Sequence, residues 1–147
     1  AGTDASGVRE SVAEALLPAL CKLGLPDGVA SSPLLQPAAL RVLGQIAQTR
    51  SPIAPKAAAV LRDVLLSRAS TAVLLLSASL YAKVPPSQRE AQPVLDALLQ
   101  QPDRWLRLQT LRLAAEPDAR PLWSASAIVK ASQDPDGFIR EAAQRLK

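Results

Sequence analysis

A segment near the end of this chain repeats an earlier one at an offset of 33 residues. Residues 101–107 (QPDRWLR) align with residues 134–140 (DPDGFIR), and each has an apolar residue followed by arginine after an acidic turn. The same step traced back, with a last step of 32, finds five apolar anchors: Val8, Leu40, Val73, Leu106 and Ile139. Arginine follows every anchor except Val73. Because repetition at a fixed period indicates similar units that stack on one another, it constrains the fold more than any other feature.

The spacing inside each unit is helical. Four residues after each anchor stands a small or β-branched residue, and an apolar residue follows three positions later. This i, i+4, i+7 pattern marks one face of an α-helix. The middle positions predict close approach of a neighbouring helix, and they are Val12, Gly44, Ser77, Thr110 and Ala143. Between the anchors, residues 60–65 and 94–99 match at an offset of 34, which predicts a second helix in each unit.

Turn residues separate the helical patterns. Asp103, Asp118 and Asp136 are predicted N-caps, and Ser87 with Glu90 has the spacing of a capping box. The predicted helices are 7–23, 34–48, 53–67, 71–83, 88–100, 104–115, 119–132 and 137–147. The fourth helix carries no charge on any face, and a helix of that kind is expected to be covered on both sides. We therefore expect Val73, Leu76 and Leu80 to be nearly fully buried.

These patterns predict an all-α fold, a right-handed α-solenoid of antiparallel helix pairs with a period of about 33 residues. The whole chain, residues 1–147, is expected to form one domain. Glycine and proline residues interrupt the chain between positions 24 and 33, so the first repeat is expected to be degenerate. The predicted units are a degenerate repeat at 7–34, repeats at 35–69, 70–102 and 103–135, and a partial last repeat at 136–147.

Two stretches of this chain resemble HEAT repeats: residues 103–107 with Thr110, and residues 136–140 with Ala143. They are closest to the short bacterial HEAT-like type, which has an acidic turn followed by apolar-Arg-x-x-Ala. The resemblance implies a scaffold whose concave face binds proteins and sometimes nucleic acid. It also admits two enzymatic exceptions, because some HEAT-like folds resemble DNA glycosylases and others resemble bilin lyases. No residue pattern in this chain selects either activity.

The composition removes several classes of active site. The chain has no histidine and one cysteine, which excludes a Ser-His-Asp triad, a Cys-His pair, a histidine-ligated metal and a cysteine-rich zinc site. We find no glycine-rich phosphate loop and no metal-ligand cluster in the sequence. We therefore predict a protein that is not an enzyme and has neither a cofactor nor a metal.

The charge and hydropathy patterns limit the partners. Seventeen basic and thirteen acidic residues give a net charge of +4, and the two signs are mixed without Lys/Arg runs. The longest uncharged apolar stretch, 69–82, is too short to span a bilayer, so no membrane insertion is expected. No signal peptide is visible, and the sequence leaves the cellular compartment open.

The candidate partner-binding residues are arginines and one tryptophan. Three arginines at equivalent positions are expected on the concave face, namely Arg41, Arg107 and Arg140. The default role of Arg107 and Arg140 is an i, i+4 ion pair with the aspartate at the start of the same helix. Trp123 beside Arg120 would be a binding hot spot if it were exposed, while partial burial is the simpler expectation. The other large aromatics, Trp105 and Phe138, are expected to pack between repeats.

The predicted function is a non-catalytic protein–protein interaction scaffold within a larger protein or assembly. The alternative is a nucleic-acid-binding module, which the arginine-rich composition favours and the interleaved acids disfavour. A third class is an accessory domain of an enzyme. The last predicted helix, 137–147, keeps an apolar face with no following helix to cover it. This pattern predicts a neighbouring domain or subunit at the C-terminal end of the chain.

Overall fold

The computed structural model describes residues 35–89 and 93–147, together with Pro18. Helix accounts for 70% of these residues, and none of them is in a strand, so the described chain is all-α as predicted. The predicted degenerate repeat at 7–34 lies outside the described residues except for Pro18. The helices are α1 (Leu35–Ala47), α2 (Ala54–Leu65), α3 (Thr71–Ala82), α4 (Leu95–Leu99), α5 (Arg104–Ala114), α6 (Ala125–Ala131) and α7 (Gly137–Gln144), with 3-10 segments at Pro86–Gln88 and Pro117–Leu122.

The helices contact one another in two rows. In the first row, which we call row A, α1 contacts α3, α3 contacts α5, and α5 contacts α7. In the second row, row B, α2 contacts α4 and α4 contacts α6. The rows are joined where helices adjacent in the chain pack together, as α1 does on α2 and α6 on α7. Each contact within a row therefore joins helices about one sequence repeat apart.

Polar caps fix where the helices begin. Asp103 accepts a hydrogen bond from the backbone N–H of Leu106 at 3.0 Å, and Asp136 caps α7 in the same way. These two predicted N-caps are confirmed. The prediction for Asp118 is wrong, because that residue lies inside the 3-10 segment Pro117–Leu122 and not before an α-helix.

Two row B helices are shorter than predicted. Among the described residues, the patterns at 88–100 and 119–132 yield only α4 and α6 as α-helix, and Ser87 lies inside a 3-10 turn and not at the start of α4. Proline explains both late starts. It lacks an N–H and its ring clashes with the preceding turn of an α-helix, so Pro93 and Pro121 lie outside α4 and α6, which begin after them. Glu90, the other half of the predicted capping box, lies outside the described residues.

Arg89 takes part in joining the end of α3 to the segment before α6. Its Nη1 donates to the carbonyl oxygens of Tyr81 at 3.0 Å and Ala82 at 3.1 Å, and its Nη2 donates to the carbonyl oxygen of Asp118. Burial lowers the pKa of Arg89 below its usual value. The guanidinium remains charged because the ordinary pKa of arginine is far above neutrality.

The repeat positions form the core. The anchors Leu40, Val73, Leu106 and Ile139 are buried, as are the small residues that follow the last three of them in α3, α5 and α7. A Cβ atom at Gly44 would lie 2.8 Å from Leu80 Cδ2, which is closer than van der Waals contact. The predicted close approach at the small position is therefore confirmed for α1 and α3.

The apolar helix α3 is buried on one side only. Val73 is buried as predicted, together with Leu74, Ser77, Ala78 and Tyr81. The prediction for Leu76 and Leu80 is wrong, because both side chains are only partly buried against the core. A helix in a two-row packing keeps one side toward solvent whatever its hydropathy. The remaining apolar residues of α3 therefore form part of the row A surface.

Candidate functional site

Arg107 is held by the turn that precedes its own helix. Its Nη1 donates to the carbonyl oxygens of Gln101 and Pro102, each at 2.8 Å, and its Nε lies 3.3 Å from Oδ2 of Asp134. The side chain is only 18% exposed. The predicted ion pair with Asp103 does not form at contact distance, because Arg107 reaches the next repeat and the Asp103 carboxylate caps α5. The charge of Arg107 still helps to lower the pKa of Asp103.

Arg140 repeats this arrangement one unit later. Its Nη1 donates to the carbonyl oxygens of Asp134 and Pro135, each at 2.8 Å, at the same offsets of six and five residues. No ion pair with Asp136 forms, so the predicted intrahelical pair is wrong here as well. Arg107 binds the Asp134 carboxylate while Arg140 binds its carbonyl, so the two arginines converge on one residue. Both hold a turn in place.

Helix starts in row A are linked from one repeat to the next. The hydroxyl of Thr71 at the start of α3 donates to Oδ2 of Asp103 at 3.1 Å, and Arg104 at the start of α5 forms an ion pair with Asp136. Each N-cap carboxylate therefore accepts hydrogen bonds from its own helix and also contacts the first residue of the preceding row A helix. The two contacts occupy equivalent positions 33 residues apart.

These contacts lower the pKa values of both capping carboxyl groups. The backbone N–H of Leu106, followed by the hydroxyl of Thr71, holds the pKa of Asp103 below its ordinary value. Burial raises the pKa of Asp136, but hydrogen bonds from Arg104 and from two backbone N–H groups of α7 outweigh that effect and lower it. Both groups are therefore carboxylates at neutral pH.

Row B has a corresponding link between repeats. The Asp96 carboxylate of α4 accepts hydrogen bonds from the backbone N–H of Ser124, at 2.8 Å, and from its hydroxyl. The same hydroxyl oxygen caps α6 by accepting from Ala127 N–H at 3.2 Å. Polar contacts at the helix starts thus fix the relative position of successive repeats in both rows.

Arg41 stands apart from the other two predicted arginines. It is exposed on α1, whose neighbour in row A is α3 and not the helices that carry Arg107 and Arg140. Leu74 occupies the equivalent position between them and is buried. The structure therefore brings Arg107 and Arg140 together but leaves Arg41 separate from them.

Trp123 belongs to the core. It is 8% exposed, and its Nε1 donates to the carbonyl oxygen of Ala114 at 3.0 Å. Arg120 covers the indole with Cζ 4.1 Å from the ring centre and donates to the Trp123 carbonyl at 3.2 Å. The alternative of an exposed tryptophan is thus wrong. The physical reason is that the indole N–H satisfies the last carbonyl of α5, which favours burial of the ring.

The exposed aromatics are Trp105 and Phe138, which were expected to pack between repeats. Trp105 is 57% exposed and Phe138 is 66% exposed, so that expectation is wrong. Each immediately precedes an anchor, Leu106 or Ile139, which takes the inward position. Because one residue corresponds to about 100° of helix rotation, the residue before an inward anchor is turned away from the core. This adjacency is the sequence signal that could have identified them.

These aromatics lie at two equivalent grooves on row A. The first groove, between α3 and α5, has a volume of about 390 Å³, and the second, between α5 and α7, has about 430 Å³. We call them the Trp105 groove and the Phe138 groove. Six side chains of the first have counterparts 33 residues later in the second. The pairs are Leu75 and Leu108, Ser79 and Arg112, Trp105 and Phe138, Gln109 and Ala142, Arg112 and Arg145, and Leu113 and Leu146.

The charges at the grooves differ in how they are paired. Arg112 lines both grooves, is exposed, and has no ion-pair partner among residues 35–89 and 93–147. Arg145, in contrast, forms an exposed ion pair with Glu141 at 2.7 Å. Arg112 is thus shared by two grooves of mixed character, each of which has an exposed aromatic and one glutamate, Glu116 in the first and Glu141 in the second.

Other kinds of site find no support in the part of the chain that the structure describes. Within it, no group of three or more His, Cys, Asp or Glu residues could hold a metal ion. None of its helices has the length and hydropathy needed to cross a bilayer. Comparison with known protein families, curated proteins and solved structures finds no significant match. The resemblance to HEAT repeats therefore stays a prediction.

Proposed function

We propose that this chain is a non-catalytic protein-interaction module, built as a right-handed HEAT-like solenoid of antiparallel helix pairs within a larger protein or assembly. Three observations support the repeat architecture. Helices one repeat apart contact each other in both rows, the arginine contacts to the turn recur at the same offsets, and each N-cap carboxylate binds the preceding repeat. Regular repeats of this kind produce extended surfaces suited to binding.

The duplicated groove is the strongest support for protein binding. Trp105 and Phe138 expose more than half of their surface at equivalent positions, and the exposed part of an aromatic side chain contributes no burial of apolar surface to folding. Tryptophan and arginine dominate the binding energy of protein interfaces, and each groove places an aromatic and an arginine together. We therefore assign partner binding to the row A surface that contains the two grooves.

This assignment changes the role of the predicted arginine face. Arg107 is largely engaged with its turn and Asp134, so it serves the geometry of the repeat. Arg140 and Arg41 are exposed and remain candidates for peripheral contacts. Nucleic-acid binding is the weaker alternative, because the ion pairs Arg104–Asp136, Arg107–Asp134 and Arg145–Glu141 place carboxylates beside three of the basic groups.

A photo-crosslinking experiment tests the class of partner. The photoreactive residue p-benzoylphenylalanine replaces Trp105 in the full chain, which is irradiated in an extract of the cells that make it. We expect discrete adducts that a nuclease leaves intact and a protease removes. The matched control carries the same residue at Val129, a 47% exposed position on the row B helix α6. Adducts that nuclease destroys, or equal yields at the two positions, would refute protein binding by row A.

The double variant R107E/R140E, made in the Trp105 photo-crosslinking chain, separates the groove surface from the arginine face. If both arginines hold turns, the variant lowers the free energy of unfolding by about 1–2 kcal/mol and keeps the crosslinks in the folded fraction. If the arginine face binds the partner, the chain stays folded and the adducts disappear. Circular dichroism on the same samples establishes the folded fraction.

A further inference from the structure

We propose that the Trp105 and Phe138 grooves form one bipartite site for a single amphipathic helix that carries two large apolar residues with an acidic residue between them. This inference rests on the proposed function, since it names the kind of protein segment that the row A surface recognises. The occupant is a helix of a partner protein.

The spacing of the grooves selects a helix over an extended segment. The grooves lie on either side of α5, so their separation is close to the distance between packed helices, about 8–10 Å. Residues i and i+7 of an α-helix share one face and are about 10.5 Å apart. Residues on one face of an extended strand are about 6.7 or 13.4 Å apart, and both spacings match the separation of the grooves less closely than the helical spacing does.

The charge between the grooves selects an acidic residue. Glu116 lines only the first groove, and Glu141 lines only the second, where it is paired with Arg145. Arg112 lines both grooves and has no ion-pair partner in the described ranges, so its guanidinium is available where the two sites meet. On a helix whose residues i and i+7 fill the grooves, residue i+4 points to the same side and lies between them. A glutamate there is complementary to Arg112, while a lysine would be repelled.

The aromatic side chains select bulky apolar residues. Trp105 and Phe138 are exposed at equivalent positions in the linings of their grooves, which also include Leu75 and Leu108. A leucine or phenylalanine side chain of the partner would be covered by a ring and a leucine together. Because both grooves have this arrangement, the two apolar residues of the partner have similar requirements.

A designed helical peptide provides the probe. It is a synthetic amphipathic peptide of about four turns, capped at both ends, with Leu at i and i+7, Glu at i+4 and alanine or glutamine elsewhere. Its affinity for the full chain is measured by fluorescence anisotropy of a terminal label. Protein fluorescence gives a second readout, because Trp105 is exposed and Trp123 is already buried. We expect saturable binding with a blue shift that the W105F variant lacks.

Three control peptides test the spacing and the charge. Moving the second Leu to i+5 turns it away from the first, and replacing both Leu by Ala removes the apolar contacts. Each of these peptides is expected to bind at least about tenfold more weakly, since one or both grooves are left empty. The third peptide has Lys in place of Glu and is used in the charge exchange below.

Charge exchange is the decisive measurement. We expect R112E to weaken binding of the Glu peptide by about tenfold, because the change replaces an attraction by a repulsion, and to restore binding of the Lys peptide. The matched control is R68E, the same change at an exposed arginine that lines neither groove. Equal effects of R112E on the two peptides would overturn the site, and so would similar effects of R68E and R112E. Concentration-dependent dimers that W105A and F138A both abolish would instead assign the grooves to a second copy of this chain.

The outcomes distinguish this inference from the proposed function. Protein adducts at Trp105 together with no groove-dependent peptide binding would overturn the helix site and leave the interaction module standing. Nuclease-sensitive adducts would overturn the interaction module itself. Retained folding of R112E, W105A and F138A is checked by circular dichroism, and these exposed positions make large losses of stability unexpected.

Discussion

Replacing Ser77 by alanine is expected to stabilise the protein. Ser77 occupies the small position of α3 and is fully buried, and its hydroxyl has no hydrogen-bond partner in the part of the chain that the structure describes. An unpaired buried hydroxyl costs about 1–3 kcal/mol, and alanine is favoured over serine in a helix by about 0.5 kcal/mol. Loss of the packing of one oxygen atom offsets part of this gain. We expect S77A to raise the free energy of unfolding by about 1 kcal/mol.

The equivalent residue of α5 provides a matched control. Thr110 is also fully buried, but its hydroxyl donates to the Leu106 carbonyl at 2.7 Å. T110A removes this hydrogen bond and a buried methyl group, and it should lower the free energy of unfolding by about 1–2 kcal/mol. Ala143 occupies the same position in α7, so alanine is compatible with the packing of a row A helix.

Urea denaturation followed by circular dichroism and tryptophan fluorescence measures both variants. Coincident transitions with unchanged m-values are needed, because repeat proteins can lose two-state behaviour. If S77A lowered the free energy of unfolding as T110A does, the explanation in terms of an unpaired hydroxyl would be refuted. The side chain would then be required for packing or be hydrogen-bonded in solution.

The remaining predictions concern pH, packing and the polar link from α3. Because their pKa values are lowered in the folded state, Asp103 and Asp136 stabilise the protein fully above the ordinary aspartate pKa, and this stabilisation is lost as the pH falls through the lower folded-state values. In an acid titration, D103N and D136N should therefore lose less free energy of unfolding than the parent chain does. G44V should cost about 1–3 kcal/mol in a denaturant melt, because a Cβ already lies 2.8 Å from Leu80 Cδ2, and a neutral result would show that α1 and α3 can separate. R89M should lower the free energy of unfolding by about 1–2 kcal/mol through loss of three carbonyl contacts, and R89K should fail to restore it because an ammonium lacks the planar geometry.

The repeat pattern predicted most of row A. The anchors, the small residues four positions later and the caps at Asp103 and Asp136 were all inferred from the sequence, and the structure confirms them where it describes them. These features are local, since a 3.6-residue period and a cap depend on residues within a few turns. The row B helices were predicted less well, because Pro93 and Pro121 override an apolar pattern that extends past them.

The arginines show where local inference fails. The spacing alone predicted ion pairs of Arg107 with Asp103 and of Arg140 with Asp136, because residues i and i+4 are neighbours on an isolated helix. In the folded chain the preceding turn offers two carbonyls to each guanidinium, and the following repeat offers Asp134 to Arg107. Several nearby acceptors compete for each arginine, and the choice depends on where the turn and the next repeat lie.

Short-range periodicity and capping were sufficient to predict an all-α chain, the positions of the row A helices and the anchor and small positions of their buried face. Which aromatic side chains are exposed depends on how the helices pack. This packing buries Trp123, whose N–H binds the end of α5, and exposes Trp105 and Phe138 beside buried anchors. It also places Arg112 between two equivalent grooves. A groove is formed by two helices 33 residues apart, and only their packing determines which side chains share it.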